Sequence, residues 1–185
     1  MRQFMYLLIS FFVCTNSKNV DVSKKYGIQY FGQCKDISTP FFISEAKINN
    51  YSKKNRTVIL KVDLNQTIAP EITKLNIWRC ANIENPDTCE HYMKDFVVKG
   101  ICEKINAGSE DQIWVNAFKY VTPELKCPLA PAQYVSKFQL DISESLLLRI
   151  VPFPPGFWKL RGISYENGEM VACADLTFKV NRVYK

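Results

Sequence analysis

The chain has one histidine, seven glycines and no paired Cys-x-x-Cys. Each scarcity closes off a class of chemistry. A Ser-His-Asp or Cys-His nucleophile needs an imidazole as its base. The sole imidazole, His91, lies between Glu90 and Tyr92 with no partner motif around it, the setting of a surface histidine. Zinc needs clustered thiolates and imidazoles at short spacing, and these are absent too. Gly100, Gly108 and Gly156 stand alone, so no glycine-rich loop is available to cradle a phosphate. Adjacent carboxylates such as Glu110-Asp111 could do acid/base work of the glycosidase kind, but among eighteen acidic residues such pairs arise by chance. The reading is a protein without catalysis, cofactor or metal.

Long apolar runs are also scarce. Only one exists, Phe4 to Val13 behind Arg2, and it gives way to Cys14-Thr-Asn-Ser17. It has about half of the roughly 20 residues a transmembrane helix needs. A basic start, a short apolar run and small polar residues are the layout of a signal peptide over 1–17. Residues 18–185 then form one domain, with no linker, repeat or low-complexity tract to divide them. The net charge of +6 comes from scattered lysines and arginines, which argues against a nucleic-acid partner and weakly for anionic surfaces.

What the chain does have fits export. Of seven cysteines, Cys14 leaves with the leader, and Cys34, Cys80, Cys89, Cys102, Cys127 and Cys173 remain. An even number in an oxidising compartment predicts three disulfides, in a connectivity that spacing alone leaves open. Three glycosylation sequons begin at Asn50, Asn55 and Asn65, the signature of an exposed edge of a secreted, extracellular protein.

Periodicity predicts an all-β fold. In Thr57-Val-Ile-Leu-Lys-Val-Asp-Leu64 the residues Val58, Leu60, Val62 and Leu64 share one face, with Lys61 and Asp63 on the other. Similar segments occupy 41–48, 72–80, 133–142, 146–151, 157–165 and 170–180. Seven short strands imply a two-sheet antiparallel β-sandwich. The last two are joined through Asn167-Gly168, the pair that a tight hairpin favours because both residues need positive φ. Over 90–105 the pattern changes and predicts a short helix with Phe96, Val97, Ile101 and Ile105 inward. Aromatic density peaks at Phe153-Pro-Pro-Gly-Phe-Trp158, a stiff loop able to present rings to a ligand or bilayer.

Several of these segments occur together in one known family. Lys126-Cys127-Pro128 before a strand, Pro154-Pro-Gly-Phe-Trp-Lys-Leu160, Tyr165-Glu-Asn-Gly168 and Val171-Ala-Cys-Ala-Asp-Leu176 follow one another in the chain. In this order they resemble the ML lipid-recognition family, in its branch of ganglioside-activator and insect chemosensory-B-type proteins. The resemblance is loose over the whole domain and good over 127–180. It implies an immunoglobulin-like sandwich whose sheets splay apart around an apolar cavity. It also implies the pairs Cys34 with Cys173, Cys80 with Cys89 and Cys102 with Cys127; a fourth bridge of the activator branch has no counterpart here.

The function this suggests is a secreted, non-enzymatic carrier of lipids or other small hydrophobic ligands, serving contact chemosensation or presentation of lipid to a receptor or partner enzyme. Transient contact with a membrane surface would accompany it. Alternation nominates Val58, Leu60, Val62 and Leu64 as lining residues, with Phe138 and Leu140 opposite. Loop placement nominates Trp114, Phe153, Phe157 and Trp158 as the rim. The alternative is an extracellular protein–protein interaction module with a filled sandwich core and no ligand.

Overall fold

The computed structural model of the protein describes residues 22–50, 56–106, 120–139 and 153–184. The expected leader and the expected strand over 146–151 lie outside these residues. The described chain runs β1 (Val22–Gln33), β2 (Phe41–Asn50), β3 (Arg56–Leu64), β4 (Ile72–Cys80), β5 (Cys89–Lys99), α1 (Ile101–Asn106), β6 (Val121–Thr122), β7 (Ala132–Gln139), β8 (Gly156–Glu166) and β9 (Glu169–Tyr184).

Hydrogen bonding links the nine strands into one continuous ladder that folds over into two layers. One has the order β5-β4-β8-β9-β1 and the other β2-β3-β7-β6. Their backbones pair at a single position, Phe41 beside Ala172, where β2 runs parallel to β9, and the Ile43 N–H of β2 donates to Gln33 Oε1 of β1 at 3.1 Å. The result is a sandwich; among the described residues the ladder does not close into a barrel. The expected all-β fold is what the chain forms.

Local sequence explains most of the elements. β3 buries Val58, Val62 and Leu64 and leaves Lys61 and Asp63 on its other face, the period-2 pattern of a half-buried strand. β8 and β9 are joined by Asn167 and Gly168 alone, both at positive φ (52° and 82°), so Tyr165 and Glu166 pair directly with Met170 and Glu169.

The helix expected over 90–105 is a correction. Cys89–Lys99 is a strand, helix is confined to Ile101–Asn106, and Phe96 and Val97 are exposed, not inward. Two features override the helical spacing. Cys89 is held opposite Cys80 in the β4–β5 register, which starts the segment as a strand. A bulge at Asp95 (φ 51°) then lets four-residue spacing fit a strand, and Asn76 caps it by accepting the Asp95 backbone N–H at 3.0 Å. Gly100, at φ 69°, ends the strand.

β1 was not expected. Its alternation is interrupted by a bulge between Ile28 and Tyr30, so inward positions switch from even to odd numbers and no single face reads as apolar. The disulfides are Cys34–Cys173, Cys80–Cys89 and Cys102–Cys127, the three pairs that the resemblance implies.

Charges are kept on the outer faces. Glu45 bonds to Lys47 at 2.6 Å and to its cross-strand neighbour Lys61 at 2.5 Å, and these bonds hold its carboxyl at about 2. Asp63, bonded by Ser44 and Gln133, and Asp36, bonded by Arg161, are also lowered. A carboxyl depressed on folding stabilises the protein above its unfolded pKa, roughly 4.3 for Glu, and loses that contribution as pH falls through the folded value. Glu45→Gln is therefore expected to flatten the fall in urea midpoint between about pH 4.5 and 2. The difference should shrink in high salt, as it must for exposed charges. An unchanged acid limb would remove Glu45 from this role.

Candidate functional site

The inward faces of β8 and β9 change size along their length. Read from one end, the facing pairs are Trp158/Phe178, Leu160/Leu176, Gly162/Ala174 and Ser164/Ala172. β4, on the other side of β8, contributes Ile77, Leu75 and Thr73 in the same direction. Large side chains fill the space between the sheets at one end, and small ones fail to fill it at the other.

At the full end, Ile77, Phe153, Trp158, Phe178 and Val180 form a closed core. The Phe153 ring meets Trp158 edge-on at 4.7 Å and Phe178 at 5.2 Å, and the Trp158 indole N–H donates to the Pro154 carbonyl at 2.9 Å. At the other end a cavity of about 410 Å³ opens between the sheets. Leu60, Val62, Tyr134 and Ser136 from one sheet face Thr73, Gly162, Ser164 and Ala174 from the other, with Ile101 and Ile105 of α1 and Val121, Leu125 and Leu129 bounding it. Gly162 keeps the wall thin there: a Cβ would stand 3.3 Å from the Leu75 side chain, which would have to shift by a few tenths of an ångström.

The cavity is almost wholly apolar. No charged side chain lines it among the described residues. Its polar groups are hydroxyls: Thr73 and Ser164 bond each other at 2.8 Å, Tyr134 donates to the Ala130 carbonyl at 2.8 Å, and Ser136 is the third serine or threonine position. Such a site offers burial and shape, with little electrostatic selection. Its volume falls in the ~300–1,000 Å³ range of small-molecule sites.

The nominated residues divide. Leu60 and Val62 line the cavity. Leu64 packs with Ile43, Ile68, Tyr134 and Val171 in the core cluster beside it, and Val58 is buried without reaching it. The backbone of Phe138 pairs with Val58, whereas Leu140 and Trp114 lie outside the described residues. The rim placement of Phe153 and Trp158 needs correction: both are fully buried in the core at the far end, since the prolines turn their loop inward over Trp158. Phe157 alternates to the outer face, where Lys179 lies 4.9 Å from its ring centroid.

Phe31, Phe41, Ile68, Leu129 and Tyr134 line the cavity and were missed. Tyr134 and Ser136 have the same parity as Phe138, so alternation alone could have found them. Ile68 and Leu129 lie in loops and meet through mutual backbone hydrogen bonds of 2.8 and 3.0 Å, for which no periodic signal exists.

Outside the cavity, His91 is exposed and its Nε2 accepts from the Trp78 indole at 3.1 Å, with the rings 4.9 Å apart. Among the described residues no group of three or more His, Cys, Asp or Glu is placed to hold a metal ion, and no helix is long and apolar enough to cross a membrane. Asn65, the first residue of the third sequon, is exposed after β3; Asn50 ends β2, and Asn55 lies outside the described residues. No family model and no curated protein matches the chain.

Proposed function

We propose that this protein is a secreted, non-enzymatic carrier that takes one small apolar molecule, such as a lipid chain, into the cavity between its sheets, in the manner of the ML lipid-recognition family. The carrying observation is the graded size of facing residues from Trp158/Phe178 to Ser164/Ala172, which leaves about 410 Å³ of apolar space inside a sandwich otherwise able to close. Empty apolar volume forfeits dispersion contacts and is a standing cost to the fold, so its retention argues for an occupant. Burial at roughly 25 cal/mol per Å² makes even one acyl chain a source of several kcal/mol. The three disulfides and the exposed sequon at Asn65 support passage through an oxidising, glycosylating compartment.

The test is to fill the space from within. Ala174 lines the cavity opposite Gly162. Ala174→Leu is expected to weaken binding of the fluorescent probe N-phenyl-1-naphthylamine at least about tenfold, consistent with losing ~1.4 kcal/mol of burial, while far-UV circular dichroism is retained. Lipid extracted from the natural protein should likewise be depleted in the variant. A wild-type protein with no saturable probe binding and no co-purified lipid would point to the second reading, an extracellular contact module. One observation favours that reading: edge strand β5 exposes Tyr92, Phe96 and Val97 together.

A further inference from the structure

Ser136 stands on the cavity face of β7, opposite Leu60 of β3 and Val121 of β6, both of which line the same space. It is 3 % exposed, and its hydroxyl finds no hydrogen-bond partner among the described residues. Native interiors keep few such groups, because a hydroxyl taken from water without a partner loses its solvation and gains nothing. The other two small hydroxyls of the cavity are different. Thr73 and Ser164 face each other across β4 and β8 and satisfy one another at 2.8 Å. One orphan hydroxyl therefore sits in a wall that is otherwise apolar or self-paired.

We infer that Ser136 is the polar anchor of the cavity, and that the ligand is a neutral amphiphile with one uncharged oxygen, an alcohol, ester, aldehyde or ketone, placed to bond the Ser136 hydroxyl. This rests on the cavity being a ligand site and names the class of molecule it takes. A serine hydroxyl both donates and accepts, so it meets a carbonyl or an alcohol equally well. An ionised carboxylate is a poor fit because no cationic side chain lines the cavity among the described residues, and a buried charge without a partner is strongly disfavoured. Volume sets the size of the ligand. If each ligand heavy atom takes about the ~30 Å³ that a water molecule occupies in the liquid, the cavity holds on the order of a dozen.

Dodecane, dodecanol, methyl dodecanoate and dodecanoate, each displacing N-phenyl-1-naphthylamine from wild type and from Ser136→Ala, provide the test. The substitution is expected to lower affinity for dodecanol and methyl dodecanoate relative to dodecane by about 3–10-fold, the worth of one neutral hydrogen bond. Dodecane itself should bind equally well or better. Wild type should bind ionised dodecanoate at least about tenfold more weakly than its methyl ester, since the added charge has no partner. The thermal midpoint of the ligand-free variant should stay level or rise, because replacing an orphan hydroxyl by a methyl removes nothing that was bonded. If all four compounds bind and the alcohol-to-alkane ratio is the same in both proteins, or if ligand-free Ser136→Ala is clearly less stable, the anchor role is overturned and the carrier reading stands. If neither protein binds any of the four, the carrier reading fails and takes the anchor with it.

Discussion

Removing the Cys34–Cys173 bridge by a double alanine substitution is expected to lower the thermal midpoint by roughly 6–20 °C, the largest effect of the three disulfides. The bridge spans a sequence separation of 139, and in the chain-entropy account a loop of that length contributes about 5 kcal/mol. Residual structure in the unfolded chain reduces this to about 3–5 kcal/mol, and for a chain of this size each kcal/mol moves the midpoint by about 2–4 °C. The other bridges close separations of 25 and 9, for which the same account gives about 3.5 and 2.6 kcal/mol. The order of effect should therefore be Cys34–Cys173, then Cys102–Cys127, then Cys80–Cys89. Position reinforces length. Cys34 and Cys173 are each 1 % exposed, and Cys173 adjoins Ala172, where the backbones of the two sheets pair. Calorimetry of the three double variants decides it, and a larger loss for the Cys80–Cys89 variant would show that loop entropy is not what the first bridge supplies.

A loss of about 2–4 kcal/mol is expected for Arg161→Met, because it strands a buried carboxylate. Arg161 meets Asp175 through two parallel bonds of 2.8 Å, Nε to Oδ1 and Nη2 to Oδ2, and reaches Asp36 through Nη1 at 2.9 Å. These carboxylates, Asp175 first, raise the pKa of the guanidinium above its ordinary value. Asp175 is 7 % exposed and sits directly across from Arg161 in the β8–β9 register, and both of its carboxylate oxygens are held by the fork. The Asp36 side chain is largely in solvent, and Asp36→Asn should cost no more than about 1 kcal/mol, as exposed pairs do. The double variant Arg161→Met with Asp175→Leu should recover most of the loss, since the penalty comes from the orphaned charge more than from the missing attraction. Urea denaturation of the four proteins measures this. Equal losses in the single and double variants would mean that packing of the arginine stem, and not the stranded carboxylate, is what matters.

Much of the fold could be read from residues one at a time, and the cavity could not. Alternation located β3, β4, β8 and β9 because each has a single apolar face unbroken by a bulge over most of its length. It missed β1 and misread β5 because a bulged strand reverses its parity and mimics another period. The aromatic loop at Phe153 and Trp158 illustrates a second limit. Ring density marks either a presenting surface or a core anchor, and only the partners Phe178 and Ile77, contributed by other strands, decide between them. What exposes the cavity in sequence is the decline from Trp158 to Ser164 on one strand against Phe178 to Ala172 on the next. That decline becomes visible only once the hairpin register is known. Loop residues such as Ile68 and Leu129 had no periodic signal at all.

That register has a further consequence. The two residues Asn167 and Gly168 do more than reverse the chain: together with the bulge between Ser164 and Tyr165, they set which residues face one another across the space between the sheets. Because side chains repeat every two positions along a strand, sliding β9 by one step of two residues would keep every inward residue inward and move it by about 7 Å. The chemistry of the walls would be unaltered, yet Phe178 would come opposite Leu160 or Gly156, and the small residues would no longer meet. Internal volume in this protein is thus governed by a two-residue surface turn and the bulge beside it, so the cavity could be resized there without changing a single lining residue.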